Sequence, residues 1–239
     1  MSLTCRLRHD IIFTMKNIFL LDLDDTLLDF LRAERVNLKR ALAEFGIFAD
    51  EKKLARFHEI NDALWKALER GETTRERILV ERFEIFLREC GYPADARAVA
   101  ENYFSGFPDI CFPFDGAVGF LQKLAARGRV YIVTNGSKNI QIRHIEDAGF
   151  APFLSGSFIS QDIGVNKPDL RFADYVEAHI DDYARERAVW MGDSITSDKL
   201  CAERRGIDFV LYAPRGIPAG YKGAVAENYE QALKLLLNK

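Results

Sequence analysis

The sequence predicts an α/β fold: a doubly wound, Rossmann-like parallel sheet interrupted by an all-helical insert. Three observations predict it. Short apolar runs recur along most of the chain, in the form of strands buried on both faces. Helical patterns alternate with the later runs, as right-handed βαβ crossovers require. Residues 31–110, by contrast, keep helical periodicity throughout and hold no strand-like run.

The first apolar run is KNIFLLDL, from Lys16 onward, bounded by acidic turn residues. The same kind of segment returns as VYIVT (130–134), GSFIS (156–160), AVWMG (188–192) and DFVLYA (208–213). Between them AVGFLQKLAAR, KNIQIRHIEDAG, DLRFADYVEAHI and TSDKLCAERRG read as helices, and EQALKLLL as a closing one. Within the insert, AERVNLKRALAEFG, LARFHEINDALWKALER, TRERILVERFEIFLREC and DARAVAENYFSGF read as four helices separated by turns such as GETT and GYPAD. The organisation is therefore a core of residues 15–30 and 111–239 carrying an inserted helical domain, 31–110. Residues 1–14 are set apart as an N-terminal extension, with Met15 an alternative start: Arg8, His9 and Asp10 interrupt any signal-peptide core.

Composition narrows the class. The 239 residues carry a formal net charge of -3, so nothing suggests a sequence-independent grip on a nucleic acid polymer or an anionic membrane. No apolar run reaches the length of a membrane span. The four cysteines are far apart, without a CxxC pair, which suits reduced thiols in a cytoplasmic protein and gives no zinc motif. The histidines, at 9, 58, 144 and 179, show no i, i+4 pairing and are not expected to bind metal. Trp65 and most phenylalanines of the insert are read as core; Phe30, Tyr103, Phe104 and Phe107 are the aromatics placed to stack on a base at the seam between insert and core.

Chemistry gathers at the strand exits, where parallel sheets hold their ligands. Asp22, Asp24 and Asp25 follow the first strand, with Thr26 behind them. Thr134 and Asn135 end the second, where a hydroxyl and a glycine-flanked backbone could bind phosphate oxygens. Lys167, in GVNKPD, is a cation just ahead of a helix, and Asp193 and Asp198 follow the fourth strand. Singly, each has an ordinary structural reading: a turn, a helix cap, a solvated lysine. Together they are acids, hydroxyl, cation and acids in order along one edge of one sheet. The oxygen donors suit Mg2+, which takes a few carboxylates together with substrate phosphate.

In that order the residues resemble the four motifs of the haloacid dehalogenase superfamily, from about Lys16 to the C-terminus. DxDxT appears as Asp22-Leu23-Asp24-Asp25-Thr26, the strand-terminal hydroxyl as Thr134, the lysine as Lys167, and GDSxxSD as Gly192 to Asp198. The resemblance implies that Asp22 is the nucleophile, forming an aspartyl-phosphate, and that Asp24 protonates the leaving oxygen and then activates water. It implies catalytic support from Thr134 and Lys167, and phosphate contacts at Leu23, Asp24, Thr134, Asn135 and Lys167. Mg2+ would be held by Asp22, the backbone carbonyl of Asp24, Asp193 and Asp198. The insert has the position of the family's first type of helical cap. After Asp198 the family's small residues give way to Lys199-Leu200-Cys201-Ala202-Glu203-Arg204-Arg205, a departure that puts fine geometry in question.

LLDF, VTNGS, SQDIGVNKPD and GDSITSD further resemble a subgroup of nucleoside 5′-monophosphate phosphatases acting on pyrimidine nucleotides. A sugar-phosphate or phosphoglycolate phosphatase and a phosphomutase remain as alternatives. A dehalogenase lacks the second motif aspartate, which is Asp24 here. A phospho-accepting signalling receiver would carry its aspartate after a middle strand, and VYIVTNGS has none. The expected partner is a small phosphate ester, handled by a monomer or homodimer.

Overall fold

The computed structural model describes residues 15–237; the N-terminal extension assigned to 1–14 lies outside them. Six strands form one sheet: β1 (Ile18–Leu21), β2 (Arg129–Thr134), β3 (Gly156–Ile159), β4 (Ala188–Gly192), β5 (Asp208–Tyr212) and β6 (Ala224–Ala226). Their order is β3-β2-β1-β4-β5-β6, and every pairing is parallel. Each apolar run of the sequence is thus a strand. β6 is an addition: three residues in a Gly- and Pro-containing stretch carry no readable alternation.

β1 shows why the sheet is wound on both faces. All four of its residues are fully buried, and alternation sends them to opposite sides. Phe19 and Leu21 pack with Leu121 and Leu124 of α5 (Ala117–Ala125) and Leu236 of α10 (Tyr229–Leu237). Ile18 and Leu20 pack with Phe172 of α8 (Leu170–Ala178) and Cys201 of α9 (Leu200–Arg205). Two short helical segments complete the crossovers, α6 (Lys138–Asp147) and α7 (Ser160–Ile163). Because β2 and β4 flank β1 on either side, the chain reverses direction across the sheet between β1 and β4. That reversal opens a crevice at the strand exits.

Between β1 and β2 lie α1 (Phe30–Ala43), α2 (Glu51–Glu69), α3 (Arg75–Cys90) and α4 (Ala96–Gly106). Each starts at a residue whose side chain accepts from an amide of the first turn: Asp29, Asp50, Thr74 and Asp95. Their apolar faces form a core of their own around Phe57, Phe83, Phe86 and Tyr103. Burying each such aromatic contributes about 1.5–3 kcal/mol, enough to hold a four-helix cap that lacks a sheet to lean on. Among the described residues no helix is long and apolar enough to cross a membrane.

One helix differs from its sequence reading. TSDKLCAERRG is not a single α-helix: Ile195–Lys199 form one π-helical turn before α9, with Lys199 N–H donating to the Ser194 carbonyl five residues back at 3.0 Å. The wider turn rotates Ser197 and Asp198 inward, where both are buried.

Candidate active site

The crevice and the cap enclose a cavity of about 620 Å3. Its floor is built by strand exits. β1 releases Asp22, whose amide still bonds to the Met191 carbonyl of β4 at 2.9 Å, so the carboxylate sits over the centre of the sheet. The next residues turn sharply: the Leu23 carbonyl accepts from the amides of Leu27 and Leu28, and Asp25 takes a left-handed backbone, with φ of 55°. Leu23's side chain is fully buried in the core, which leaves only its backbone for a ligand. Asp25 is a turn residue, tied by its carboxylate to Arg215 Nη1 at 2.8 Å. Arg215 also pairs with Asp29 at the start of α1, so one side chain pins both ends of the entry into the cap.

Lys167 is the centre of the floor. Its side chain is 1% exposed, and its Nζ donates to Asp22 Oδ1 at 2.7 Å, the Val133 carbonyl at 2.7 Å and Asp198 Oδ1 at 2.6 Å. Burial works against the charged amine, but Asp198 and Asp22 outweigh it and hold the lysine above its ordinary pKa. Asn135 fixes the same segment with a reciprocal pair of bonds: its Nδ2 donates to the Lys167 carbonyl, and its Oδ1 accepts from the Lys167 amide. The Asn135 side chain is thereby occupied, and what it offers a phosphate is its backbone. Thr134 is buried, with Oγ1 accepting from Gly136 N–H at 3.2 Å.

Asp198 reaches the lysine because Gly192 has no side chain: a Cβ there would stand 2.4 Å from the Asp198 carboxylate. Asp193 borders the cavity itself and is accessible to it. The carboxylates of Asp22, Asp193 and Asp198 bring ligand oxygens within 4.8 Å of one another. Burial raises Asp22 to about 8, despite the neighbouring ammonium. Asp193 opens onto the cavity, yet the walls around it thin its hydration; that desolvation first, and then repulsion from Asp22 and Asp198, raise its carboxyl well above the usual range. Ionised together, the three carboxylates would exceed the one ammonium by two negative charges, a repulsion that adds to desolvation in raising Asp22 and Asp193, and all donors are oxygens. That is the charge and the chemistry a divalent hard cation takes up, so the residues fit magnesium.

Asp24 stands apart from that cluster. Its Oδ2 accepts from Gln141 Nε2 at 2.7 Å, and burial raises its carboxyl against the opposing pull of His144 and Gln141. Gln141 is buried on α6, and reaches Asp24 because Gly136 leaves it room. Sequence reasoning missed Gln141. The available signal was polar Gln141 and His144 beside Ile140 and Ile145 on the buried face of one helix.

The cavity's roof is the lower face of α2. His58, Asn61, Asp62, Trp65, Lys66 and Glu69 line it, at helical spacings of three and four residues, while Leu54, Phe57 and Ile60 turn into the cap. Trp65 is therefore a cavity residue, contrary to its reading as core. Of the four aromatics expected at the seam, Phe30 lines the cavity. Tyr103 is instead buried in the cap, with Phe104 packed against the same cluster, because α4 turns that face toward Phe57 and Phe83. Phe107, just past α4, is at the seam but buried between Phe30 and His144 rather than open to the cavity. Arg75 ties cap to core: its Nη2 donates to Ser160 Oγ at 2.7 Å and Asn166 Oδ1 at 2.9 Å, and contacts the Asn135 carbonyl. Its guanidinium stands 5.2 Å from the Trp65 ring centre.

Comparison with known proteins agrees with this geometry. The chain is 33% identical over 189 residues to the HAD-hydrolase YfnB of Bacillus subtilis, covering 79% of this chain and 80% of the relative. It is 30% identical to the pyrimidine 5′-nucleotidase PynA of Streptococcus pneumoniae, over 89% of this chain and 86% of that one. The crystal structure of YfnB bound to magnesium superposes with a TM-score of 0.86 at 30% identity, covering 93% of this chain and 99% of YfnB. A family model for haloacid dehalogenase-like hydrolases matches residues 16–204, a span that holds every acid, hydroxyl and cation of the cavity floor. The chain belongs to the haloacid dehalogenase-like hydrolase family.

Proposed function

We propose that the protein is a magnesium-dependent phosphatase of small phosphate monoesters, working through an aspartyl-phosphate on Asp22, with pyrimidine nucleoside 5′-monophosphates as its substrates. The observation that carries the reading is the floor: a buried carboxylate, Asp22, held by a fully buried lysine, with a second carboxylate, Asp24, two residues on and hydrogen-bonded elsewhere. Such a pair divides the labour of phosphoryl transfer. Asp22 is fixed by Lys167 and by Thr26 Oγ1, which donates to its Oδ2 at 3.3 Å, so its carboxylate is presented rather than mobile.

In the first step an Asp22 oxygen attacks phosphorus, the bond to the ester oxygen breaks, and Asp24 donates a proton to that oxygen. In the second, Asp24 takes a proton from water as the water attacks the phosphoaspartate, releasing phosphate and regenerating Asp22. The upward shift of Asp24 is in the direction a general acid needs. Thr134, the backbone of Leu23 and Asn135, and Lys167 orient and stabilise the transferring group. Magnesium held by Asp22, Asp193, Asp198 and the Asp24 carbonyl would supply positive charge where two anions must meet.

The nucleotide assignment is supported by the resemblance to PynA, described as a pyrimidine 5′-nucleotidase. It is also supported by a cavity of about 620 Å3, within the ~300–1,000 Å3 of sites that enclose whole small molecules. Phe30 and Trp65 on its walls favour a flat leaving group. The test is phosphate release from uridine, thymidine and adenosine monophosphates, phosphoglycolate and glucose phosphates under the same magnesium concentration. Pyrimidine nucleotides should lead in kcat/KM; a tenfold lead by a sugar phosphate or phosphoglycolate would remove the nucleotide assignment. Trapping of phosphate on Asp22 in Asp24→Asn would separately support the covalent step.

A further inference from the structure

A chain of buried polar groups runs through the cap and ends at the cavity. Arg82, 3% exposed, donates from Nη1 to Asn61 Oδ1 at 2.6 Å; Asn61 donates from Nδ2 to Glu34 Oε1 at 2.6 Å; Glu34 Oε2 stands 2.8 Å from His58 Nδ1. Glu34 is 1% exposed, within a four-helix core whose other buried polar groups are Asn37, Asn61 and Arg82. A carboxylate in that position costs several kcal/mol unless its oxygens are satisfied, and here each oxygen has a partner. A packing role alone would be served as well by aliphatic side chains. The arrangement joins α1, α2 and α3 and, at its cavity end, fixes the orientation of the His58 ring.

A carboxylate can only accept, so Nδ1 carries the proton that faces Glu34. The ring's other nitrogen, on the opposite edge, is turned away from Glu34. The ring is half-exposed and lines the cavity, one helical turn along α2 from Asp62 and two from Trp65. This end of α2 lines the same cavity as the floor, so in the phosphatase reading its side chains would meet the organic part of an ester.

We propose that His58 is a specificity-determining residue, whose Nε2 hydrogen-bonds a hydroxyl or carbonyl oxygen of the leaving group, and that Glu34 is the positioning residue behind it. The proposal rests on the phosphatase reading above, and extends it from the phosphate to the rest of the substrate. The hydrogen bond to Glu34 also favours the imidazolium, which makes Nε2 a donor to such an oxygen. His58 takes no part in phosphoryl transfer, since that chemistry is complete on the floor. It should act on esters in proportion to what their leaving groups offer.

The experiment compares uridine monophosphate with phenyl phosphate, whose leaving group has no polar atom beyond the ester oxygen. Steady-state kinetics are measured on wild type, His58→Leu, His58→Gln and Glu34→Gln, with circular dichroism confirming folding. His58→Leu should lower kcat/KM for the nucleotide roughly tenfold to a hundredfold more than for phenyl phosphate, the loss falling on KM. Glutamine, which can still donate, should recover part of it, and Glu34→Gln should move the same ratio by a smaller factor. An unchanged ratio in His58→Leu overturns the proposal while leaving the phosphatase reading intact. Wild type that hydrolyses phenyl phosphate and sugar phosphates but not nucleotides overturns the nucleotide assignment, and the ratio is then read with the preferred polar ester. Wild type that hydrolyses no ester overturns the phosphatase reading and the role of His58 with it.

Discussion

The floor and roof of the cavity are built on opposite principles. On the floor, Asp22, Lys167 and Asp198 are almost wholly buried and joined through the lysine: Asp22 leaves the end of β1, Asp198 sits on the π-helical turn after β4, and Lys167 lies between α7 and α8. On the roof, α2 presents half-exposed and exposed side chains, several of them long, on a helix whose own support is a small four-helix core. A phosphate is the same in every substrate, and a rigid site suits it. Leaving groups differ, and a helix face can change residue by residue without disturbing the sheet. Disruption of the floor should therefore harm all esters alike, and disruption of the roof should separate them.

The largest effect expected is from Asp22→Asn. An amide is a poor nucleophile, and the change also removes a charge from the proposed magnesium site. Turnover should fall at least about a thousandfold, roughly 4 kcal/mol of barrier. Single-turnover measurements on phenyl phosphate and uridine monophosphate should show the same factor for both. A factor that differed widely between the esters would mean that the floor also reads the leaving group.

Lys167→Met tests the floor's stability as well as its activity. Without the ammonium, Asp22 and Asp198 face each other across a buried gap with no compensating charge. Breaking such a buried arrangement costs about 3–5 kcal/mol, readable as a drop in the urea midpoint of the metal-free protein. Added magnesium should recover part of the loss, because it occupies the same cluster of carboxylates.

The two regions also differed in how far the sequence revealed them. The first acids and the hydroxyl of the floor were legible because they follow short apolar strands whose parallel pairing carries the exits to one edge; Asp198 lies a helical turn beyond β4, and Lys167 beyond the short α7, yet both return to the same edge. The roof was not. Periodicity showed that α2 has a polar face, yet said nothing about what that face meets, because the answer depends on folding α2 over residues more than a hundred positions away. Trp65 was thus read as core, and His58 was considered only as a metal ligand, not for its place on the cavity. Gln141 and Arg215 were missed for the same reason: their partners, Asp24 and Asp25, are distant in sequence. The π-helical turn after Ser194 was hidden too, since one extra residue in a turn leaves the hydrophobic pattern almost unchanged. The unusual residues after Asp198 pack without displacing it: Cys201 and Ala202 are buried behind the sheet, and Asp198 still reaches Lys167.

Arg75 joins the two regions, so its removal should give an intermediate effect. Arg75→Ala loses the bonds to Ser160 and Asn166 that hold the cap against the core. One hydrogen bond of a charged donor is worth about 1.5–3 kcal/mol, and water can replace the others when the cap lifts, so kcat/KM should fall roughly tenfold to a hundredfold. Closure serves every substrate, so the loss should be shared by both esters. A loss confined to nucleotides would instead assign Arg75 to the roof, acting through Trp65.

The smallest effect concerns stability, and it isolates the polar chain behind the roof. His58 has its pKa raised above the ordinary 6.5 by its hydrogen bond to Glu34, against the opposing effect of burial, with lesser help from the charges of Glu34, Asp25 and Asp62. A group whose folded pKa lies above its unfolded value binds more protons when folded. Its contribution is therefore fully present below the unfolded pKa, and is lost as the pH rises through the folded one. The ring is too exposed for a large term, so the gain should stay below about 1 kcal/mol. Unfolding free energies of wild type and His58→Gln, compared by urea titration at about pH 6 and about pH 9, should differ more at the lower pH. Glutamine keeps a hydrogen bond to Glu34 but cannot take up the proton, so the change in difference reports the charge alone. The same comparison in a Glu34→Gln background should lose most of its pH dependence. If it does not, Asp25 and Asp62 hold the imidazolium, and Glu34 serves the geometry of the ring without setting its charge.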